Sequence, residues 1–545
     1  MSEDSLSAEK KLLREAEAKG GGAKWSTYAK FSGPGWLQGA ITLGGGSLAG
    51  SLYLGVIGGY QLLWLQPLMM VLGILMLSVI GYVALSTGER PFRAINKHIN
   101  PVLGWGWLIA ALMANLVWAM PQFSLGTAAL QQNLGVLPGD NSKHLCAGLL
   151  FIIASAIVWM YDSKSVKIFE AILKLMVGVI VLSFFGVVGV MASKLPWNEI
   201  VMGFIPNFSL LSEPADNFKT LINESSDPDY WRSLILGSQR DVMVTAAATA
   251  VGINMTFLLP YSMLRKGWGR EHRGLATFDL SLGLFIPFLL ATSCVVIAST
   301  SQFHAGNDEA LKDPTKIEGK MKGAYEGNLK KFQTHIGRSK NPNETDKKLA
   351  AALIKRDAFQ LAGSLENLTG KTISHTVFGI GVVGMAISTI IILMLINGFC
   401  LTEAMGLEMG GTAHKVGSLL PGITGALGFL WLWGDADAKF WLAVPTSIFG
   451  MVLLPVAYFT FFCMINSKSL LGDALPTGGK RVVLNIAIGV ALVASLIGAL
   501  WSIWSKLQWI GLAVFAGFIV LVILGQCWHS LNKRLDHIED AVKKK

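Results

Sequence analysis

Charge is scarce in this chain. Lys, Arg, Asp and Glu make up 15% of its 545 residues while apolar types make up 52%, a balance that excludes an ordinary soluble protein with one or two cores. Acidic side chains are scarcest where the chain is most apolar. Between Phe31 and Gly139 the only one is Glu89, and the stretches 103–125, 373–402 and 440–464 contain none. Buried acids are the usual partners of cations inside a bilayer, so no obvious carboxylate is on hand for a central cation site. Cysteine is also rare: Cys146, Cys294, Cys400, Cys463 and Cys527 fall singly in separate apolar runs, which reads as buried apolar thiols and excludes a disulfide framework. No nucleophile and base, metal-ligand cluster or phosphate loop is spaced to work together, so neither an enzyme nor a cofactor is expected.

What the chain has instead is long apolar runs. About 18 or more such residues cross a hydrocarbon core of roughly 30 Å. Twelve candidates are legible, at about 33–58, 61–87, 103–125, 145–161, 168–192, 241–264, 278–299, 373–402, 416–433, 440–464, 482–504 and 509–527. The basic head "KKLLREAEAKGGGAKWSTYAK" before the first has no small-residue cleavage pattern, so the first run is read as retained. The net charge of +10 is unevenly placed. Twelve spans put both termini on one side, where the short loops hold 13 Lys and Arg and the termini add 11, against 7 in the opposite short segments. Basic excess marks cytoplasmic loops. The expectation is a multi-pass protein of a plasma or inner membrane with cytoplasmic termini, whose partner is the lipid bilayer and not nucleic acid.

The chain divides into a cytoplasmic N-terminal segment (1–32), a first group of five spans (33–193), an external loop (194–240), spans six and seven (241–300), an external insertion (301–372), spans eight to ten (373–465), spans eleven and twelve (482–527) and a basic tail (528–545). The loop reads as polar with a short helix, and the insertion as helical over "KIEGKMKGAYEGNLKKFQTHIG" and "DKKLAAALIKRDAFQLAGSL". Asn207, Asn223, Asn343 and Asn367 begin N-x-Ser/Thr sequons in these two segments.

The most informative pattern is a matched pair of interruptions. The first span reaches "GGGS", Gly44 to Ser47, eleven residues after Gly33; the sixth reaches "GINMT" at Gly252, eleven residues after Asp241. At 1.5 Å per residue each break lies about 16 Å deep, near the bilayer midplane. One span enters from inside and the other from outside. Spans 1–5 and 6–10 then form two halves of opposite orientation, each opening with a discontinuous helix, which is the sequence pointer to an inverted-repeat transporter.

Irregular backbone at that depth survives only where protein buries it or a cavity uses it. Gly44, Gly45 and Gly46 supply conformational freedom, Ser47 is placed to cap the outer half-helix, and leftover carbonyls can meet a cation. The plainer reading of the glycines is close helix packing. In the sixth span Asn254 and Thr256 are polar at the break, and Met255 offers a sulfur or simply packs in the core. Glu170 and Lys174, four apart on one helix face, read as a structural ion pair. Asp279, near the start of the seventh span, reads as a residue that fixes loop geometry.

Several motifs together resemble the Nramp family of divalent-metal transporters, which have the LeuT fold. They are "GPGWLQGAITL" opening the first helix, "GGYQLLWLQPLMM" opening the second, "LSTGERPFRAINK" after it, "SKSVKIFEAILKL" at the fifth, and Asp279 in the seventh. The resemblance is clear over 33–192 and patchy over 241–464. It implies an all-α integral membrane fold with a 5+5 inverted repeat, discontinuous first and sixth helices and two further helices. The family's Asp-Pro-Gly-Asn motif falls here on Gly44, Gly45, Gly46 and Ser47, and its Met-Pro-His motif on Asn254, Met255 and Thr256. Leu453 stands where many members have glutamine, and the third-helix acids linked with proton coupling are missing.

What is left resembles the wider, uncharged sites of Nramp-related magnesium transporters, since magnesium prefers oxygen ligands and sheds water reluctantly. The expected function is therefore transport of a divalent metal ion, magnesium with much of its water attached, without proton coupling. The expected substrate site comprises Gly44, Ser47, Gly252, Asn254, Met255 and Thr256. Two alternatives stand beside it. One is a LeuT-fold transporter of a small organic solute, with the glycine amides as a nest for a carboxylate; the other is a membrane sensor or scaffold that does not transport.

Overall fold

A computed structural model describes residues 3–161, 166–305, 307, 312–317, 320–337, 341–432 and 443–543. Every regular element among them is helical. The membrane-sized helices and half-helices are labelled in chain order: α1 (Pro34–Thr42), α2 (Gly45–Gly58), α3 (Leu65–Thr87), α4 (Pro101–Ala128), α5 (Lys143–Met160), α6 (Val166–Met191), α7 (Pro228–Ala250), α8 (Ile253–Arg265), α9 (Ile286–Phe303), α10 (Phe378–Ala404), α11 (Gly411–Leu427), α12 (Ala443–Ile465) and α13 (Gly478–Lys543).

Among the described residues nine helical stretches are long and apolar enough to cross a membrane, and the bent pair α1/α2 makes a tenth. The twelve expected runs map onto these with three departures. The ninth falls on α11, which has only 17 residues, and its expected end at 433 and the start of the tenth at 440 lie outside the described residues. The last two runs are two helices that meet at a kink at Gln508, where φ is 48° and ψ −132°, with no loop between them. The third departure concerns the sixth run. Its helix begins at Pro228, thirteen residues before the expected 241, because Asp227 caps it by accepting from the Tyr230 amide at 3.0 Å. The polar residues Arg232, Gln239 and Arg240 ride on this extension beyond the apolar part.

Side-chain contacts sort the loops onto two faces. On the face that carries the N-terminal helices, Arg14 pairs with Glu271 at 3.0 Å, Arg90 with buried Glu403 at 2.9 Å, and Arg270 donates to the Ser86 carbonyl at 2.8 Å. On the opposite face Lys506 pairs with Asp241 at 2.6 Å. There the buried carboxylate of Asp346 accepts from Ser226 N–H and O–H, from the Trp231 indole at 2.8 Å and from the Asn343 amide. That single acid ties the helix Glu344–Ala352 of the insertion to the corner before α7. Further into the insertion, the hydroxyl of Tyr53 on α2 donates to the carbonyl of Arg356. α1 therefore runs away from the terminal face and α7 towards it.

The start of α1 is fixed by a carboxylate. Asp279 is fully buried; its Oδ1 accepts from the Gly33 amide at 3.0 Å and its Oδ2 from the Gly35 amide at 2.6 Å. These are orphan donors of a helix N-terminus, met by a negative charge where the helix dipole favours one. The backbone approach is close. A Cβ on Gly35 would lie 2.1 Å from the Asp279 carbonyl oxygen, and one on Gly39 would lie 2.1 Å from that of Gly283. Only glycine fits along this seam, so part of the glycine content of the first span serves packing.

Two expectations are corrected here. Glu170 does not pair with Lys174 but with Lys266 at 3.1 Å, while Lys174 donates to the Ser32 carbonyl at 2.7 Å. That carbonyl lies just ahead of α1, where no helical donor can reach it, so Lys174 is drawn across to it. Cys146, Cys294 and Cys400 are buried as expected, but Cys527 is exposed, because α13 packs along one side only.

Asp279→Ala should destabilise the protein by about 3 kcal/mol, since it leaves two buried amides without an acceptor. Asp279→Asn, which keeps one acceptor, should cost less. Thermal unfolding in detergent measures both, and an unchanged midpoint for the alanine variant would remove the cap from this role.

Candidate functional site

The first span breaks at Leu43–Gly44, where the chain bends by 52° between α1 and the helix that follows it; the sixth breaks at Val251–Gly252, between α7 and α8. The two breaks lie side by side. Thr42 Oγ1 donates to the carbonyls of Thr249 at 3.0 Å and Ala250 at 2.7 Å, and Ser47 Oγ donates to those of Thr42 and, at 3.3 Å, Thr249. Neighbouring helices add donors. Ser388 on α10 reaches the Ala40 carbonyl at 2.9 Å, and Thr389 reaches that of Ile41 at 3.4 Å. Thus the carbonyls released at the C-terminal ends of α1 and α7 are met by side-chain hydroxyls, as burial away from water requires.

The positive ends are met too, by different atoms. Gln122 of α4 accepts from the Gly45 amide at 2.8 Å and so caps α2. Ser47, expected to be that cap, instead turns its hydroxyl back to the carbonyls, because the α1 end supplies acceptors within closer reach. At α8 the Gly252 amide meets the Met255 sulfur at 3.4 Å, and the Met255 amide meets Asn254 Oδ1 at 2.9 Å.

Between the breaks is a cavity of about 30 Å³ lined by Ile41, Thr42, Gly44, Gly46, Ser47, Trp118, Pro121, Gln122, Thr249, Met255, Thr389, Thr446 and Ser447. That is room for one or two waters. Six of these residues carry a hydroxyl, one an amide and one a thioether, and none carries a charge. Among the described residues no three His, Cys, Asp or Glu side chains converge anywhere to hold a metal ion.

Of the six residues expected at the site, Gly44, Ser47 and Met255 line this cavity. Gly252, Asn254 and Thr256 stand behind it. Thr256 donates to the Ile253 carbonyl and accepts from the Trp107 indole at 2.9 Å, while the Asn254 Nδ2 is buried without a protein partner. Gln38 belongs to the same wall: its Nε2 donates to the Met255 carbonyl at 3.2 Å, and its Oε1 is unpartnered. Sequence reasoning does not single out Thr42, Trp118, Gln122, Thr249, Thr389, Thr446 or Ser447. A usable signal exists for two of them, since Thr42 and Thr249 each precede a glycine break by two or three residues, where free carbonyls are expected.

Comparison with known proteins agrees with this geometry. The Nramp family model, described as natural resistance-associated macrophage protein-like, matches residues 35–322 and 347–503. The metal transporter Nramp2 of Oryza sativa subsp. japonica is 26% identical over 189 residues, 33% of this chain and 33% of that protein. The metal transporter Nramp3.1 of Populus trichocarpa is 29% identical over 165 residues, 29% of this chain and 31% of that protein. The matched stretch thus spans only about a third of these relatives. In three dimensions the chain is similar to crystal structures of the Eremococcus coleocola manganese transporter, with a TM-score of 0.60 at 14% identity over 94% of this chain and 97% of that one. At that identity the likeness speaks for the fold, which is all-helical and LeuT-like. With the family model matched over most of this chain's length, the chain belongs to the Nramp family.

Proposed function

We propose that the protein transports a divalent metal ion, magnesium-like and uncoupled from protons, through the cavity between the broken helices. The observation that carries this reading is the asymmetry of the four helix ends. Of the donors at the N-terminal ends of α2 and α8, the Gly45 amide is engaged by Gln122, that of Gly252 by Met255 and that of Met255 by Asn254, whereas the C-terminal ends of α1 and α7 bring carbonyls towards the cavity through rotatable hydroxyls. Helix C-termini carry partial negative charge. A hydroxyl that rotates its proton away presents a lone pair, so Thr42, Ser47 and Thr249 can exchange a bond to protein for a bond to a cation.

The carboxylate nest loses the middle of its three glycine amides, since that of Gly45 is already bonded to Gln122. A cavity of about 30 Å³ is also small for an organic solute. Oxygen donors suit a hard cation, and the Met255 sulfur faces the Gly252 amide, which leaves it less free for a soft one. No lining residue ionises and α4 holds no acid, so the site offers no group to carry a proton with the ion.

Purified protein in liposomes tests this directly. Magnesium should enter saturably with no change in an internal pH dye; manganese entry with acidification would overturn the uncoupled reading, and absence of flux for both ions would overturn transport of either. Within the site, Ser47→Ala and Thr249→Val should each raise KM about tenfold, or about 1.4 kcal/mol, with a smaller effect for Asn254→Ala. The opposite ranking would move the binding position from the cavity to the wall behind it. Gln122→Leu, which frees the Gly45 amide, should weaken cation binding and admit anionic competitors that the unaltered protein ignores, read as inhibition of magnesium entry by small carboxylates.

A further inference from the structure

One side chain lining the cavity sits in a setting that differs from all the others. Trp118, on α4, lines the cavity and is half-buried. Its indole lies in a slot between two glycines on two other helices. A Cβ on Gly252, at the break of the sixth span, would sit 2.5 Å from the ring, and a Cβ on Gly450 of α12 would also sit 2.5 Å from it. The indole Nε1 donates to the Thr446 carbonyl at 2.9 Å. Any residue other than glycine at either position would push the ring out of place. Yet a single neutral hydrogen bond tethers the ring, and glycine walls interlock with nothing.

Apart from Gln122 and Met255, which are held at the Gly45 and Gly252 amides, the other polar lining groups cannot change the cavity by much. The glycines are backbone, and the hydroxyls of Thr42, Ser47, Thr249 and Thr389 rotate in place while bonded to carbonyls. A cavity with room for one or two waters demands that an entering ion shed most of its shell, whereas magnesium keeps several waters. With no carboxylate to offset dehydration, the ion and the closed cavity are mismatched unless a wall moves.

We propose that Trp118 is that wall: it sets the size of cargo the cavity admits, and its withdrawal from the Gly252–Gly450 slot lets a divalent ion enter with its inner waters attached. The proposal rests on reading the cavity as the cargo site. The indole then acts as a filter by volume, not by charge, and returning it to the slot with its bond to Thr446 closes the cavity behind the ion.

Two measurements test the wall and the cargo separately. The first needs no transport. With the less buried Cys463 and Cys527 replaced by alanine, the Ser47→Cys thiol should react slowly with a small methanethiosulfonate reagent, and at least tenfold faster when Trp118→Ala is added. An unchanged rate overturns the proposal. The second uses cobalt(III) hexammine, an inert mimic of a hexahydrated divalent ion that cannot shed its ligands. It should inhibit magnesium entry at least tenfold more tightly in Trp118→Ala than in the unaltered protein, while Trp118→Phe, which refills the slot, should stay near the unaltered value. Equal inhibition in all three overturns the filter. Should Trp118→Ala fail to fold, Trp118→Leu, which also shortens the ring, gives the same two comparisons. Faster thiol labelling without divalent flux in any variant would keep Trp118 as the wall and overturn the transport reading instead.

Discussion

A helix that stops in the middle of a bilayer leaves peptide groups that lipid cannot satisfy, each costing several kcal/mol if left bare. Two helices stop there in this chain, and most of what surrounds them follows from that constraint. The hydroxyls of Thr42, Ser47, Ser388 and Thr389 answer carbonyls at or near the breaks, and Gln122 answers an amide. Thr42 bonds carbonyls of the other broken helix, so the two breaks hold each other in register. The flanking helices α4 and α10 are therefore fixed in rotation, since Gln122 and the Ser388–Thr389 pair must face inward. A fold that could otherwise pack in many ways is pinned by a handful of short polar side chains.

The same bonds give the cavity its electrical character. Capping an amide with a side-chain oxygen removes a donor for good, because glutamine and asparagine oxygens have no proton to rotate away. Capping a carbonyl with a hydroxyl is reversible, because the hydroxyl has its own lone pairs to offer. This inequality between the two kinds of cap leaves the cavity with latent acceptors, without a single formal charge. The family motif that the first break resembles has an aspartate where this chain has Gly44, so on the proposed cation reading the carbonyl ends must suffice.

Much of this architecture is legible in the sequence, and the reasons for the rest are specific. The breaks at Gly44 and Gly252 are legible because glycine and polar residues in an apolar run at midplane depth only weaken a helix that has no need to stop there. The two faces are legible from the succession of spans, and contacts such as Arg14–Glu271 and Lys506–Asp241 sort the loops the same way. Gln122 and Trp118 are not legible as site residues, because helical periodicity alone does not say which face of α4 meets the breaks. Asn254 and Met255 illustrate the same limit at one-residue scale. Adjacent on a helix, they differ by about 100° in direction, so the cavity sees the sulfur while the amide faces the wall. The true partner of Glu170 is hidden for a related reason: the i, i+4 rule weighs local partners, and an unpaired carbonyl at Ser32 outcompetes the local acid for Lys174.

Under the transport proposed above, alternating access requires that some of these bonds break while others persist, and their strengths indicate which. The base of α1 is held by a buried carboxylate on two amides, with Lys174 on Ser32 and the Glu170–Lys266 pair beside it. These are charge-assisted bonds, roughly twice as strong as neutral ones. The bonds at the breaks are hydroxyl to carbonyl, each worth about 1 kcal/mol net, and a passing cation can replace them one at a time. Strong fixings at the helix base and weak ones at the midplane place the soft part of the structure at the cavity. Motion that begins by exchanging Thr42 and Ser47 bonds for ion contacts therefore costs little, whereas motion that frees α1 at Asp279 must be driven by new contacts made elsewhere on the terminal face.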